Sequence, residues 1–242
     1  MPMRVPRVHG IIRRRLLVNF RIDPEVAQRQ LPAPFRPKLH AGSAVGGICL
    51  IRLEGIRPRR FPEMFGLSSE NAAHRFAVVW SDSDGDHEGV YIPRRDSGSL
   101  LNQLAGGRLF PGEHHRARFD VVDDGDHVRL VMESSDQTVK VKVAATVVPE
   151  LPPGSIFASL AEASAFFEPG ALGYSATSGG HKLDGIVLRT KTWDVQPLRI
   201  ESVESSYFSN QALFPAGSVD FDCALIMRNI AHEWESAAAM YV

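Results

Sequence analysis

Residues 89–119 read GVYIPRRDSGSLLNQLAGGRLFPGEHHRARF and set polar and backbone-special residues between two apolar strands. The strand-like run Gly89-Val90-Tyr91-Ile92 meets Pro93, after which Asp96 or Ser97 can cap a short helix over Ser99 to Ala105. Leu100, Leu101 and Leu104 share one face of that helix at helical spacing. Gly106 and Gly107 end it, because glycine takes the left-handed C-terminal conformation without a Cβ clash. A Pro-Gly turn at Pro111 and Gly112 leads to Glu113, His114 and His115, and the alternation of Arg116, Ala117, Arg118 and Phe119 resumes a strand. A site is expected in this stretch.

Outward from it, strands dominate. Ahead lie Ile11 to Ile22, Val45 to Ile56 and His74 to Trp80. Gly46 and Gly47 suggest a close backbone approach in the second of these. Asp23-Pro24-Glu25 reads as cap, first helical position and favourable dipole charge for a short helix ending near Leu31. Arg57 to Asn71, punctuated by Pro and Arg, reads as a loop, and residues 81–86 as a hairpin turn toward Gly89. Behind, Ala117 to Val122 and His127 to Glu133 flank Asp123-Asp124-Gly125-Asp126, whose Asp-Gly step supplies the positive φ of a tight hairpin. In Thr138 to Val148 the alternation puts Lys140 and Lys142 on one wet face. Ser155 can cap a helix from Ile156 to Glu168, and Ala171 to Gly180 is small enough to be a lid or linker. Gly185 to Thr192, Leu198 to Phe208 and Val219 to Met227 are further strands. Many antiparallel strands with few helices make this a mainly β (α+β) chain, a sheet sandwich or closed barrel with peripheral helices. No composition break divides the 242 residues, so one domain is expected.

The composition narrows the function classes. With 27 basic and 28 acidic residues the formal net charge is -1, which removes the electrostatic reason to invoke nucleic acid or an anionic membrane. The Arg-rich beginning (Arg4, Arg7, Arg13, Arg14, Arg15) reads as a solvated strand face. Cys49 and Cys223, the only cysteines, sit in apolar runs and read as small buried hydrophobes. No run reaches the ~18 apolar residues of a membrane span, and residues 1–10 lack the apolar core of a signal peptide. A soluble, cytoplasmic protein is expected, and its oligomeric state stays open, a homo-oligomer included.

Nine histidines invite a metal, yet no pair shows a ligand signature of the HExxH type, and adjacent strand residues such as His114 and His115 point to opposite faces. No metal and no cofactor is therefore expected. The nucleophile elbow Gly-x-Ser-x-Gly and the phosphate-binding glycine motifs are absent. What remains is an interior group of carboxylate, imidazole and guanidinium: Glu70, His114, His115, Arg21 and Arg108.

At these residues the chain resembles the acetoacetate decarboxylase-like superfamily, in a bacterial branch that is a domain of unknown function. Phe20-Arg21-Ile22-Asp23-Pro24-Glu25-Val26 with Leu31-Pro32-Ala33-Pro34-Phe35 is similar to the family's "TDPEAL…LPEPL" opening. Gly89-Val90-Tyr91-Ile92-Pro93 resembles its "YxP" strand, and residues 107–117 resemble "GREIWGFPKKLA" with one residue fewer. The resemblance implies an acetoacetate decarboxylase-like antiparallel barrel and a small carboxylate or keto-acid ligand. In the decarboxylases the first lysine of the doublet forms an imine with a β-keto acid. Here His114 and His115 stand in its place, and imidazole has no primary amine to make one. The resemblance also implies catalytic roles for His115, His114 and Glu70, and substrate contacts for Arg21, Arg108 and Tyr91. Strand parity with Ala117 and Phe119 sends His115 inward, whereas the family register favours His114, so both stay in play.

Three readings follow. One is a small-molecule, decarboxylase-related enzyme using histidine acid-base chemistry on a small carboxylic or keto acid. The second is a ligand-binding barrel that has lost the chemistry, and the third keeps the imine with an amine from Lys182.

Overall fold

The computed structural model describes residues 7–58, 61–99, 112, 114–177 and 182–241. Thirteen strands among them form one sheet: β1 (Val8–Ile22), β2 (Arg36–Pro37), β3 (Leu39–His40), β4 (Ser43–Pro58), β5 (Leu67–Asp82), β6 (Gly85–Ser97), β7 (His114–Asp123), β8 (His127–Ser134), β9 (Lys140–Val147), β10 (Leu172–Ala176), β11 (Lys182–Thr190), β12 (Gln196–Ser205) and β13 (Val219–Tyr241). The neighbour order is β11-β10-β6-β7-β8-β9-β12-β13-β1-β4-β5-β2, with β3 on β4. Two further pairings, β5 with β6 and β11 with β13, close the sheet on itself twice. Pairing is antiparallel except where β6 runs parallel to β7 and to β10. The expectation of a mainly β chain with few helices holds.

Closing twice gives the shared strands two buried faces, which is why β4 reads as a continuous apolar run rather than an alternation. Leu16, Val18, Ile48, Leu50, Phe76 and Val78 join a core completed by Leu130 and Met132 of β8, Val141 of β9 and Leu198 of β12. Leu17, Cys49, Ile51, Ala77 and Leu225 face the other way. There they meet Ala163, Phe166 and Phe167 of a helix, α2 (Leu160–Phe167).

Local chemistry sets the connections. Asp23 accepts hydrogen bonds from the Glu25 and Val26 amides (2.9 and 3.0 Å) to start helix α1 (Pro24–Gln28), as expected. Gly125, at φ +103°, turns β7 into β8 while Asp123 accepts from its amide at 3.2 Å.

Several expectations are corrected. The loop expected over 57–71 is largely strand: β4 runs to Pro58 and β5 starts at Leu67, with a 3-10 turn (Glu63–Phe65) among the described residues between them. The helix expected from Ile156 starts at Leu160, capped by Ser159. Ser155 and the Ile156 amide instead bond Asp222 of β13, both at 2.8 Å, which ties this segment to the sheet. The stretch read as a lid contains β10, whose Gly173, Tyr174 and Ser175 are buried between β6 and β11. β13 continues fourteen residues past Met227, because β11 supplies it with a second partner. The helix expected at 99–105 lies outside the described residues save for Ser99. No helix among the described residues is long and apolar enough to cross a membrane.

Gly47 shows how closely β1 and β4 are laid. A Cβ there would sit 2.5 Å from the Val18 carbonyl oxygen, a backbone atom that cannot swing aside. Gly47→Ala is expected to destabilise the fold by about 2–3 kcal/mol, read from denaturant unfolding; a change within ~0.5 kcal/mol would show that the strands can part freely.

Candidate functional site

A single rung of the sheet defines the site. Reading register partners across it gives Leu17 of β1, Cys49 of β4, Ala73 of β5, Arg95 of β6 and His114 of β7. Residues two apart on one strand share a face, so Arg15, Asn71 and Arg75 stand beside this rung. All of these but Leu17 line a cavity of about 110 Å³ whose remaining wall includes Ile92, Gly173, Ile186, Leu188 and Trp234. Ala73, the smallest residue of the rung, leaves the opening between Cys49 and Arg95.

The electrostatics of this cavity are one-sided. Arg75 is 5% exposed, donates from Nη2 to Asn19 Oδ1 at 2.6 Å and lies 5.2 Å from the Phe167 ring centroid. Its buried Nε has no hydrogen-bond partner among the described residues. Arg95 reaches Ser175 Oγ from Nε at 3.4 Å, and its buried Nη2 is likewise unpartnered among the described residues. Burial pushes both guanidiniums down to about 10, so they stay charged at neutral pH. Arg15 donates from Nε to Cys49 Sγ at 3.3 Å and packs 5.9 Å from the Trp193 centroid. None of the three forms an ion pair among the described residues. Asp96, at the cavity edge, has its carboxylate taken by Arg94 at 2.9 Å; burial raises its pKa, against the lowering by Arg94. Such an arrangement attracts an anion and strengthens any developing negative charge.

Of the described candidates, His114 alone lines this cavity. His115, one residue on, turns to the other side of β7, with Nδ1 3.0 Å from Asp136 Oδ2, and Arg94 lies 3.2 Å from the same carboxylate. Parity did send His115 toward the Ala117 core; the sheet has a second interior, and His114 faces that one. Glu70 pairs with Arg14 at 2.7 Å on the opposite phase of β5 from Asn71 and Ala73. Arg21 lies six residues along β1 from Arg15, donating to the Gly154 carbonyl at 3.2 Å and 3.7 Å from Asp220. Tyr91 is buried in the other core against Phe35, ring centroids 5.8 Å apart. Lys182 sits 2.5 Å from Asp184, whose hydrogen bond raises the amine's pKa and holds it protonated. Arg108 lies outside the described residues.

The Arg-rich beginning is not one solvated face. Arg13 is exposed and pairs with Glu54, but Arg14 is 4% exposed between Glu70 and Asp123, and Arg15 enters the cavity. Arg75 and Arg95 also escaped the sequence reading. A signal for Arg75 existed: it interrupts an otherwise apolar run, HRFAVVW, where a charge is costly without a task. Among the described residues no group of three or more His, Cys, Asp or Glu could hold a metal ion.

Comparison with known proteins bears on the fold. A family model, DUF2071, described as an uncharacterized conserved protein, matches residues 11–224. No curated protein matches the chain by sequence. Acetoacetate decarboxylase from Legionella pneumophila subsp. pneumophila str. Philadelphia 1 superposes with a TM-score of 0.60 at 13% identity, covering 100% of this chain and 92% of that one. An acetoacetate decarboxylase-like enzyme from Sphingomonas wittichii RW1 gives 0.57 at 12% identity, over 98% and 93%. The enduracididine biosynthesis enzyme MppR complexed with pyruvate gives 0.58 at 10% identity, over 100% and 91%. At such identities the likeness establishes the fold alone.

Proposed function

The chain belongs to the DUF2071 family of uncharacterized conserved proteins, on the acetoacetate decarboxylase-like fold, and from that premise we propose that its cavity takes a small keto acid. Arg95 holds the carboxylate, and His114 moves a proton at the carbon beside the ketone. The observation that carries this reading is the register: Arg95 and His114 are direct partners on the parallel strands β6 and β7, and both line the cavity. Neighbouring strands lie ~4.8 Å apart, so a carboxylate gripped by Arg95 brings its ketone and adjacent carbon within reach of the imidazole. Neutral imidazole takes the proton, and the enolate oxygen develops its charge among guanidiniums. The ligand class is supported by the fold's occurrence in MppR, which binds pyruvate. The acid-base route, in place of an imine, is supported by a described lining that contains no lysine and by the protonated state of Lys182.

The test is proton exchange at the pyruvate methyl group in D₂O, followed by NMR. The protein is expected to accelerate exchange, and His114→Ala to slow it by about 10²-fold, the lower end of what general acid-base catalysis contributes. His115→Ala should stay within about threefold of the parent, since that ring is occupied with Asp136 on the other face. Unchanged exchange in His114→Ala would take the imidazole out of the mechanism. Binding without turnover is the second reading, favoured by the same lysine-free lining; it gives saturable pyruvate binding and no exchange.

A further inference from the structure

One carboxylate on Arg95 leaves two more guanidiniums in the same cavity. Arg75 stands two residues along β5 from Ala73, and Arg15 lies beyond β4 on β1; both line the cavity with Arg95. Both are built in rather than trailing in solvent. The Asn19 side-chain Oδ1 and the Phe167 ring fix Arg75, while Cys49 and the Trp193 ring fix Arg15. Arg75 is more than nine-tenths buried, and among the described residues its Nε is unpartnered and no carboxylate pairs with either cation. Two like charges facing one cavity, Arg75 buried and Arg15 half-buried, cost free energy that an anion between them offsets.

We infer that Arg15 and Arg75 form a second anion subsite, so that the ligand is a short dicarboxylic keto acid, one acid group on Arg95 and the other between Arg15 and Arg75. This rests on the reading of Arg95 and His114 as the keto-acid end. A monocarboxylate leaves two of three cations uncompensated; a dicarboxylate leaves one. Arg75 stands on the strand next to that of Arg95 and Arg15 three strand spacings away, ~14 Å at the backbone, a gap that long arginine side chains shorten.

Calorimetric titration of the full chain with pyruvate, 2-oxobutyrate, oxaloacetate and 2-oxoglutarate tests it. The dicarboxylates are expected to bind at least about 30-fold more tightly than the monocarboxylates, the value of one charge-assisted bidentate contact. Arg75→Gln should shrink that ratio to below about fivefold, and Arg15→Gln should do the same should the first variant not fold. Arg95→Gln should weaken both classes. Equal affinities in the parent, or a preference that survives Arg75→Gln and Arg15→Gln, overturns the second subsite and leaves the Arg95 end standing. Failure of every keto acid to bind overturns both.

Discussion

Arg95→Met is expected to raise the unfolding midpoint of the protein while weakening keto-acid binding by 10²- to 10³-fold. The two effects have one cause. Arg95 carries a charge whose only hydrogen bond among the described residues is a 3.4 Å contact to Ser175, with Nη2 buried and unpartnered. Removing an uncompensated buried cation for an apolar chain of similar length recovers on the order of 1–3 kcal/mol, less than the full penalty because part of the residue still meets solvent. For a chain of this size that is a rise of several degrees. Losing the charged partner of a bound carboxylate costs about 3–4 kcal/mol. A residue kept for stability moves both readouts downward; a residue kept for a ligand moves them apart. Thermal unfolding and pyruvate titration on the same preparation decide it. A lowered midpoint makes Arg95 a strut and removes the anchor of the proposed function.

What was legible in the sequence was local. The Asp23 cap, the Asp-Gly turn at 124–125 and the alternation of β8 and β9 each follow from neighbours a few residues apart, and each stands in the structure. What was not legible depends on partners far along the chain. The end of β13, NIAHEWESAAAMY, is Ala-rich and charged, and pairing with β1 up to Trp234 and with β11 from His232 onward makes it a strand. Asn229 at φ +55° lies between the part of β13 that meets β12 and the part that meets β11. The site suffers most from this. Cys49, Ala73, Arg95 and His114 are brought into one rung from four strands by three successive registers, and no spacing in the sequence announces it. The doublet could be found because it was contiguous. Its cavity-facing member could not be chosen, since parity offers an inward face and this sheet has two.

Two other histidines set how the fold responds to acid. His74 is completely buried with its ring 4.6 Å from Tyr207, and His232 is 3% exposed with its ring 4.3 Å from Trp234. Neither ring nitrogen of either one has a hydrogen-bond partner among the described residues. Burial, with Arg94 adding to it, lowers His74 to about 3. Burial lowers His232 to about 4, against a backbone contact at Ile230 that raises it. In the unfolded chain both titrate near 6.5. The unfolded state therefore binds more protons between pH 6.5 and the folded values, so stability is full above 6.5 and falls as the pH drops below it. At pH 5 each ring contributes a loss of about 2 kcal/mol, ~4 kcal/mol together, against a typical total of 5–15 kcal/mol. Among the paired carboxylates, Asp136 and Asp123 are held below the usual range by their partners and protonate at lower pH; Asp96, raised by burial, is favoured in its protonated form by folding, so it opposes the histidine loss and does not add to it. Denaturant unfolding at pH 7.5 and pH 5.0 is expected to show that loss in the parent, about half of it in His74→Phe, and less than ~1 kcal/mol in His74→Phe with His232→Phe. A parent equally stable at both values, or a double variant as acid-sensitive as the parent, would mean that water reaches the rings or that other groups govern the response.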